Sequence, residues 1–131
     1  MRGRGARGEG TLTTADGDEV RVLYTNRALA EAEQAMGKSV LAVAQGFADG
    51  DSGIGDMAAL LQAGMEAARH DGREGGRRVA VNDAFEVMDA VGFAGVATVV
   101  MEAVSDVLSY DPASSESELG SSNNEDADPN A

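Results

Sequence analysis

The chain has 131 residues and is strongly acidic, with 10 Lys and Arg against 23 Asp and Glu and a formal net charge of −13. That length allows one domain and little more, and an acidic body repels phosphate, which disfavours nucleic-acid partners. The absence of cysteine excludes disulfides and cysteine-ligated zinc. The start lacks an apolar signal segment, and the longest apolar run, residues 91–101, is too short to span a bilayer. We therefore expect a soluble cytoplasmic protein with no membrane partner.

Charge is uneven at the two ends of the chain. The first eight residues carry three arginines among glycines, Arg2, Arg4 and Arg7. Residues 1–9 are therefore predicted to be a flexible basic leader, for which a contact with RNA or an acidic partner is the less favoured alternative. Residues 111–131 carry six carboxylates and no basic residue, and they are predicted to be a disordered acidic tail. Residues 10–110 remain as one folded domain.

A hairpin is predicted at the start of this domain. β-Branched and aromatic residues alternate with polar ones at residues 11–14 and 20–24, on either side of an Asp-Gly turn. Because a lone hairpin is marginal in water, we expect its apolar side to pack on the rest of the domain, through Val20, Val22 and Tyr24.

Helical periodicity follows the hairpin. Thr25 or Asn26 is predicted to cap a helix that runs to Met36 and ends at Gly37. Ser39 is predicted to begin a further turn or two, with apolar residues at helical spacing.

Two more helix starts are indicated by capping residues. Asp56 is predicted to cap a helix whose apolar residues recur at i, i+3, i+4 and i+7 and which ends near Gly72. Asn82 or Asp83 is predicted to cap the next helix. The predicted fold is mainly α with a short N-terminal β-hairpin, an α+β class, arranged as a small single-domain helical bundle.

The most continuous apolar surface lies in residues 79–110, which are predicted to form two helices broken near Gly92. From Phe93 onward, apolar residues placed at about 100° per residue cover an arc of roughly 200°, wider than the stripe of an ordinary surface helix. Such a helix is either central to its domain or covered in part by another chain. Candidate contacts with a partner or a second copy are three residues of this helix, Val99, Met101 and Leu108.

The sequence lacks the residues that catalytic and metal-binding patterns require. An EF-hand loop starting at Asp49 would need glycine and glutamate where Ile54 and Leu60 stand, so a solvated turn is the preferred interpretation. His70 is the only histidine, which leaves a metal site or a Ser-His-Asp arrangement without partners. We predict no catalytic residue, no metal site and no cofactor.

Several stretches, taken together, resemble a known family. They are a Gly-Glu-Gly lead into the hairpin and three helical segments at residues 27–37, 56–65 and 87–93. In order and spacing they resemble the small tail-assembly proteins of long-tailed phages and gene transfer agents, described either as tail assembly chaperones or as tail tube proteins. The leader, Arg2-Gly3-Arg4, is similar to starts in this family, whereas the acidic extension after Tyr110 departs from its shorter forms.

The resemblance implies a non-enzymatic role in tail morphogenesis. Chaperones of this kind keep the long tape measure protein soluble in the host cytoplasm and help recruit tail tube subunits around it. The implied partners are the tape measure protein and the major tail tube protein, with self-association as a further option. A wide apolar helix face suits an amphipathic stretch of such a partner, and a large negative charge keeps a complex soluble.

Two other functions stay open. One is a structural, tube-associated component of the virion tail, although a tube subunit needs extensive strands to close a ring and the sequence predicts a single hairpin. The other, less favoured, is a small acidic regulator or DNA mimic that occupies a basic site on a host protein. An enzyme is the least supported option.

Overall fold

The computed structural model describes residues 7–113. These residues form a mainly α-helical fold with a short N-terminal β-hairpin, the α+β class predicted from the sequence. Residues 1–6 of the predicted leader and residues 114–131 of the predicted acidic tail lie outside the described residues. The elements, in chain order, are β1 (Glu9–Thr13), β2 (Glu19–Leu23), α1 (Asn26–Met36), α2 (Val40–Asp49), α3 (Ile54–Asp71), α4 (Val81–Val91) and α5 (Phe93–Leu108).

The two strands pair antiparallel, with Gly10 opposite Val22 and Leu12 opposite Val20. Successive side chains of a strand point to opposite faces, so these four residues share one face of the hairpin. Leu12 and Val22 are fully buried on that face, where β1 packs on α5 and β2 packs on α3. The predicted packing of the apolar side of the hairpin on the helices is confirmed.

Tyr24 follows β2 and fastens the hairpin to α3. Its ring is buried, and its hydroxyl donates a 2.7 Å hydrogen bond to the Leu60 carbonyl. A Cβ atom on Gly64 would lie 2.5 Å from Cζ and Oη of this tyrosine, so only glycine leaves room for the ring. Burial raises the pKa of the Tyr24 hydroxyl, which therefore stays protonated and able to donate.

The first two helices begin at predicted capping residues, and α1 ends at the predicted glycine. Thr25 Oγ1 accepts from the Ala28 N–H at 3.0 Å, and Ser39 Oγ accepts from the Ala42 N–H at 3.1 Å. Gly37 ends α1 with φ 72°, a left-handed conformation that glycine adopts at little cost. α2 is longer than the predicted turn or two, because Val40 and Val43 are buried and hold it against the core.

The starts of α3 and α4 differ from the predictions. α3 begins at Ile54, two residues before the predicted cap, since the Gly53 carbonyl accepts from the Met57 N–H. Asp56 instead lies in the first turn, where the positive end of the helix dipole stabilises its carboxylate. α4 begins at Val81 after Ala80, before both predicted capping residues.

Asp83 still stabilises the start of α4, from inside the first turn. Its Oδ2 accepts from the Ala80 N–H at 2.8 Å, and its two carboxylate oxygens accept from Arg77 at 2.7 and 2.8 Å. The hydrogen bonds from Arg77 and from Ala80 lower the pKa of Asp83 to about 2. The carboxylate therefore accepts from the backbone of the residue before the helix, as the third helical residue does in a capping box, and Ala80 supplies no side-chain cap.

The predicted break between the last two helices occurs at Gly92, where the chain turns by 115° with a φ of 97°. α5 then packs on β1, α3 and α4. Its buried residues are Val96, Val100, Ala103 and Val104. Two residues assigned to the same apolar face are exposed: Phe93, at the bend, is 39% exposed with its ring 6.3 Å from that of Phe47, and Leu108, in the last turn, is 41% exposed.

No single helix among residues 7–113 is long and apolar enough to cross a membrane. Taken together, α4 and α5 reach the length and apolar composition of a membrane span, but they are bent by 115° with respect to each other.

Candidate partner-binding surface

The three predicted contact residues of α5 do not lie together. At about 100° per residue, Val99 lies roughly 160–180° around the helix from Met101 and Leu108, which are about 20° apart. Val99 is half-buried and faces the hairpin, since a Cβ on Gly10 would lie 2.7 Å from its Cγ1. Val99 therefore belongs to the contact between α5 and β1. Of the three predicted contact residues, Met101 and Leu108 remain on the outer side of α5.

Met101 and Leu108 lie within an apolar strip on the outside of α5. Met101 is half-buried against the core, and Leu108 is 41% exposed. Ala94, exposed, and Ala97, half-buried, lie within about 60° of them on the helix. We call the strip of Ala94, Ala97, Met101 and Leu108 the Met101 flank. A shallow groove beside it is lined by polar residues, among them Thr98, Glu102 and Ser105.

α5 comes close to the hairpin because the start of the chain offers it two glycines. Gly10 faces Val99, and a Cβ on Gly8 would lie 2.7 Å from Val107 Cγ2. Gly8 also has a φ of 82°, which side chains rarely adopt. Both glycines belong to the Gly-Glu-Gly lead of the sequence, which thus has a steric role: it lets α5 lie directly on β1.

The start of the chain is also fastened to the end of α5. The Gly8 N–H donates to Asp106 Oδ2 at 2.9 Å, and its carbonyl accepts from the Tyr24 N–H at 2.9 Å. One residue earlier, the Arg7 guanidinium carbon lies 3.4 Å from the centroid of the Tyr110 ring. Glu9 opens β1. The strand therefore begins one residue before the predicted domain boundary, and the two residues before it contact α5 and the turn after it.

A cleft of about 360 Å³ lies between α1 and the second half of α3. Its wall includes Glu66, the one charged side chain that is buried among residues 7–113. The Glu66 carboxylate accepts from Arg69 at 2.7 and 3.0 Å and from the Val79 N–H at 2.9 Å, with Arg78 at 3.6 Å. The hydrogen bonds from Arg69, then from Val79, lower the pKa of Glu66 to about 2 despite its burial.

These contacts give the cleft a structural role. Glu66 joins α3 to the segment that leads into α4, and the Gln62 side chain donates to the Val79 carbonyl at 3.1 Å in the same place. Arg78 also reaches Glu31 on α1, at 3.7 Å. Arg78 thus pairs with Glu66 and with Glu31, which links three segments of the chain at the cleft wall.

The residues of the rejected calcium and histidine sites lie at the ends of helices. Asp49 is the last residue of α2 and Ile54 the first of α3, so residues 50–53 form the connection, in which the Asp51 N–H donates to the Gly46 carbonyl. His70 lies exposed in the last turn of α3. Within residues 7–113, no three His, Cys, Asp or Glu side chains converge closely enough to hold a metal ion.

Sequence reasoning missed the close approaches at Gly8, Gly10 and Gly64 and the burial of Glu66. A signal was present for some of them. Gly10 in the strand and Gly64 in the helix interrupt regular elements, and glycine in such places often marks the close approach of another group. The spacing of Glu66 and Arg69 at i and i+3 predicts a pair, yet nothing in the spacing indicates that the pair is buried.

A comparison with protein families finds one whose sequence profile matches residues 7–106, a family described as phage tail tube protein, GTA-gp10. Searches of curated proteins and of solved structures found no match to the chain. The matched range takes in both strands, the first four helices and α5 up to Asp106, the residue that accepts from Gly8. The chain therefore belongs to the phage tail tube protein (GTA-gp10) family and is a phage tail protein.

Proposed function

We propose that this protein is a tail assembly chaperone that binds the tape measure protein in the host cytoplasm and helps recruit tail tube subunits around it. The observation that carries the proposal is the Met101 flank. It is an apolar strip on the outside of a helix whose inner side is occupied by the core, so it is available to a second helix.

The chemistry of the flank suits an amphipathic helix of a tape measure protein. Two alanines allow a close approach, and Met101 and Leu108, seven residues apart on the same side of α5, supply apolar contact for a docked amphipathic helix. Methionine adapts to partners of differing shape because it is unbranched and flexible. The net charge of −13 favours solubility of the resulting complex.

The family description supports a second candidate, a structural component that stays in the tail. The two-stranded sheet leaves an outer edge on each strand within residues 7–113, and Thr11 and Thr13 on β1 are exposed. An open edge can add a strand from a neighbouring subunit. Against this candidate, ring closure in a tube needs more strands than this hairpin provides.

Co-expression with the tape measure protein encoded in the same tail gene cluster tests the proposal. We expect the tape measure protein to become soluble and to co-purify with this chain. Leu108→Asp should reduce the co-purified amount at least tenfold, whereas Leu41→Asp, the same change at a leucine 67% exposed on α2, should leave it unchanged. Met101→Asp serves as a second variant once its folding is verified, because Met101 is half-buried.

One result would count against the chaperone role, and another against the Met101 flank as its contact surface. An insoluble tape measure protein together with this chain in purified tails would favour the structural component. Equal loss of co-purification in the two leucine variants would show that the Met101 flank is not the contact.

A further inference from the structure

The cleft between α1 and α3 combines an apolar lining with charged groups. Leu23 and Ala28, both buried, and Ala67, half-buried, supply the apolar part of the lining. The cleft volume of about 360 Å³ is small for a ligand site, since such sites span about 300–1,000 Å³. The cleft therefore suits a single residue or a small molecule rather than a helix.

Hydrogen bonds at the cleft leave two arginines with one carboxylate between them. Glu66 accepts from Arg69 at 2.7 and 3.0 Å, and Asp71 accepts from Arg21 at 3.3 Å. The charged residues of the lining that remain are Arg27, Glu31 and Arg78. Two guanidinium groups thus share one carboxylate, in a protein where acidic residues outnumber basic ones by 23 to 10.

Glu31 holds these two arginines loosely. Its carboxylate oxygens lie 3.8 Å from Arg27 Nε and 3.7 Å from Arg78 Nη2, and Arg78 Nη1 lies 3.6 Å from Glu66 Oε2. These contacts are longer than hydrogen bonds, so within residues 7–113 neither guanidinium has an N–H donor in use. Because both groups lie beside the same Glu31 carboxylate, they are placed to bind one further carboxylate together.

We propose that this cleft binds the C-terminal residue of a partner protein. The apolar side chain of that residue packs against the apolar lining, and its terminal carboxylate accepts from Arg27 and Arg78. A C-terminal residue carries both groups on one carbon atom, which matches a lining that offers both within one small cleft. Arginine binds a carboxylate through two parallel hydrogen bonds. The inference depends neither on the chaperone role nor on the Met101 flank.

NMR titration of the isotope-labelled full chain tests the proposal with three small probes at physiological salt, where charges beyond about 8 Å are screened. N-acetyl-leucine carries the apolar group and the carboxylate, N-acetyl-leucinamide lacks the charge, and acetate lacks the apolar group. We expect N-acetyl-leucine to shift the Ala28 and Ala67 amide signals saturably, with a Kd of about 1–10 mM for a ligand of this size. The other two probes should bind about tenfold more weakly.

Three results would overturn the proposal. A lack of saturable shifts with N-acetyl-leucine would show that the cleft does not take this ligand. Equal affinity for acetate would show an adventitious anion only, and equal affinity for the amide would show that the carboxylate is not recognised. The peptide N-acetyl-Ala-Ala-Leu separates a chain end from a free acid: it should bind at least as tightly as N-acetyl-leucine, and loss of binding would assign the cleft to a free organic acid instead.

Substitutions at the charged residues give matched controls. Arg27→Gln, at a side chain 90% exposed, should weaken N-acetyl-leucine about threefold or more. Arg73→Gln removes the same charge at an exposed position outside the lining and should leave the Kd unchanged. Glu31→Gln removes the carboxylate that competes for both arginines and should tighten binding. Equal weakening in the two arginine variants would mean unspecific charge attraction and would contradict the site.

Discussion

The ring of Tyr24 occupies the space that a side chain at position 64 would need. A Cβ on Gly64 would lie 2.5 Å from two atoms of the tyrosine, Cζ and Oη. The same hydroxyl donates to the Leu60 carbonyl one turn earlier on α3. The hairpin is thus anchored by one aromatic residue inserted at one glycine, and this contact decides how close β2 lies to α3.

Gly64→Ala should therefore destabilise the protein. The added methyl group cannot avoid the buried ring, and overpacking of this kind costs about 1–3 kcal/mol, more than the gain of up to about 1 kcal/mol from replacing a helical glycine. Gly55→Ala is the control on the same helix, since nothing lies within 4 Å of its Cβ position, and it should leave stability unchanged or raise it. Urea denaturation followed by circular dichroism measures the free energy of unfolding of both variants. A Gly64→Ala variant more stable than the parent protein would contradict the packing of the Tyr24 ring against Gly64.

Gly10→Ala tests the contact between β1 and α5. Its Cβ would lie 2.7 Å from Val99 Cγ1 and 3.3 Å from Val22 Cγ2, so we expect a loss of about 1–3 kcal/mol. Val99→Ala removes the nearer methyl group, and the double variant should lose less than the sum of the two single changes. Strict additivity in a double-mutant cycle would mean that the two residues do not touch.

Val99→Asp and Leu108→Asp should separate the two sides of α5. Val99 faces the hairpin and is half-buried, so a carboxylate there loses water without gaining a partner and should cost more than about 2 kcal/mol. Leu108 is 41% exposed, and the same change there should cost under about 1 kcal/mol. Thermal unfolding measures the difference, and equal melting temperatures would show that Val99 is not part of the packing.

Acid should remove the stabilisation that Glu66 provides. Arg69 and the Val79 N–H hold the pKa of this carboxyl at about 2, below its ordinary value of 4.5. The folded state therefore binds fewer protons than the unfolded state between these values, and the contribution is complete above about pH 4.5 and is lost as the pH falls toward 2.

Glu66→Gln makes this measurable. The variant should lose about 2 kcal/mol at pH 7, the scale of a hydrogen bond to a charged group, and the difference from the parent protein should shrink as the pH falls from 4.5 to 3. Glu102→Gln, at an exposed site on α5, controls for the loss of one negative charge and should change stability by less than about 0.5 kcal/mol throughout. A difference for Glu66→Gln that stays constant across this pH range would refute the ion-pair account.

The order and kind of the elements follow from patterns that can be read along the chain. Alternation around an Asp-Gly turn specified the hairpin, and Thr25, Ser39 and Gly37 specified where helices begin and end, because caps and turns are local contacts between residues a few positions apart. Gly92 likewise marked the break before α5. Helix starts at Ile54 and Val81 were misplaced because the residues before them, Gly53 and Ala80, supply no capping side chain for the sequence pattern to show.

Which apolar residues of α5 are covered depends on how the folded elements pack against it. Periodicity gives the angle of a residue around its own helix, yet it holds no information on which neighbour lies at that angle. Val99 and Leu108 were equivalent candidates in the sequence. They became a core contact and a surface residue because Gly8 and Gly10, some 90 residues earlier in the chain, allow β1 to lie on one side of the helix and leave the other side open.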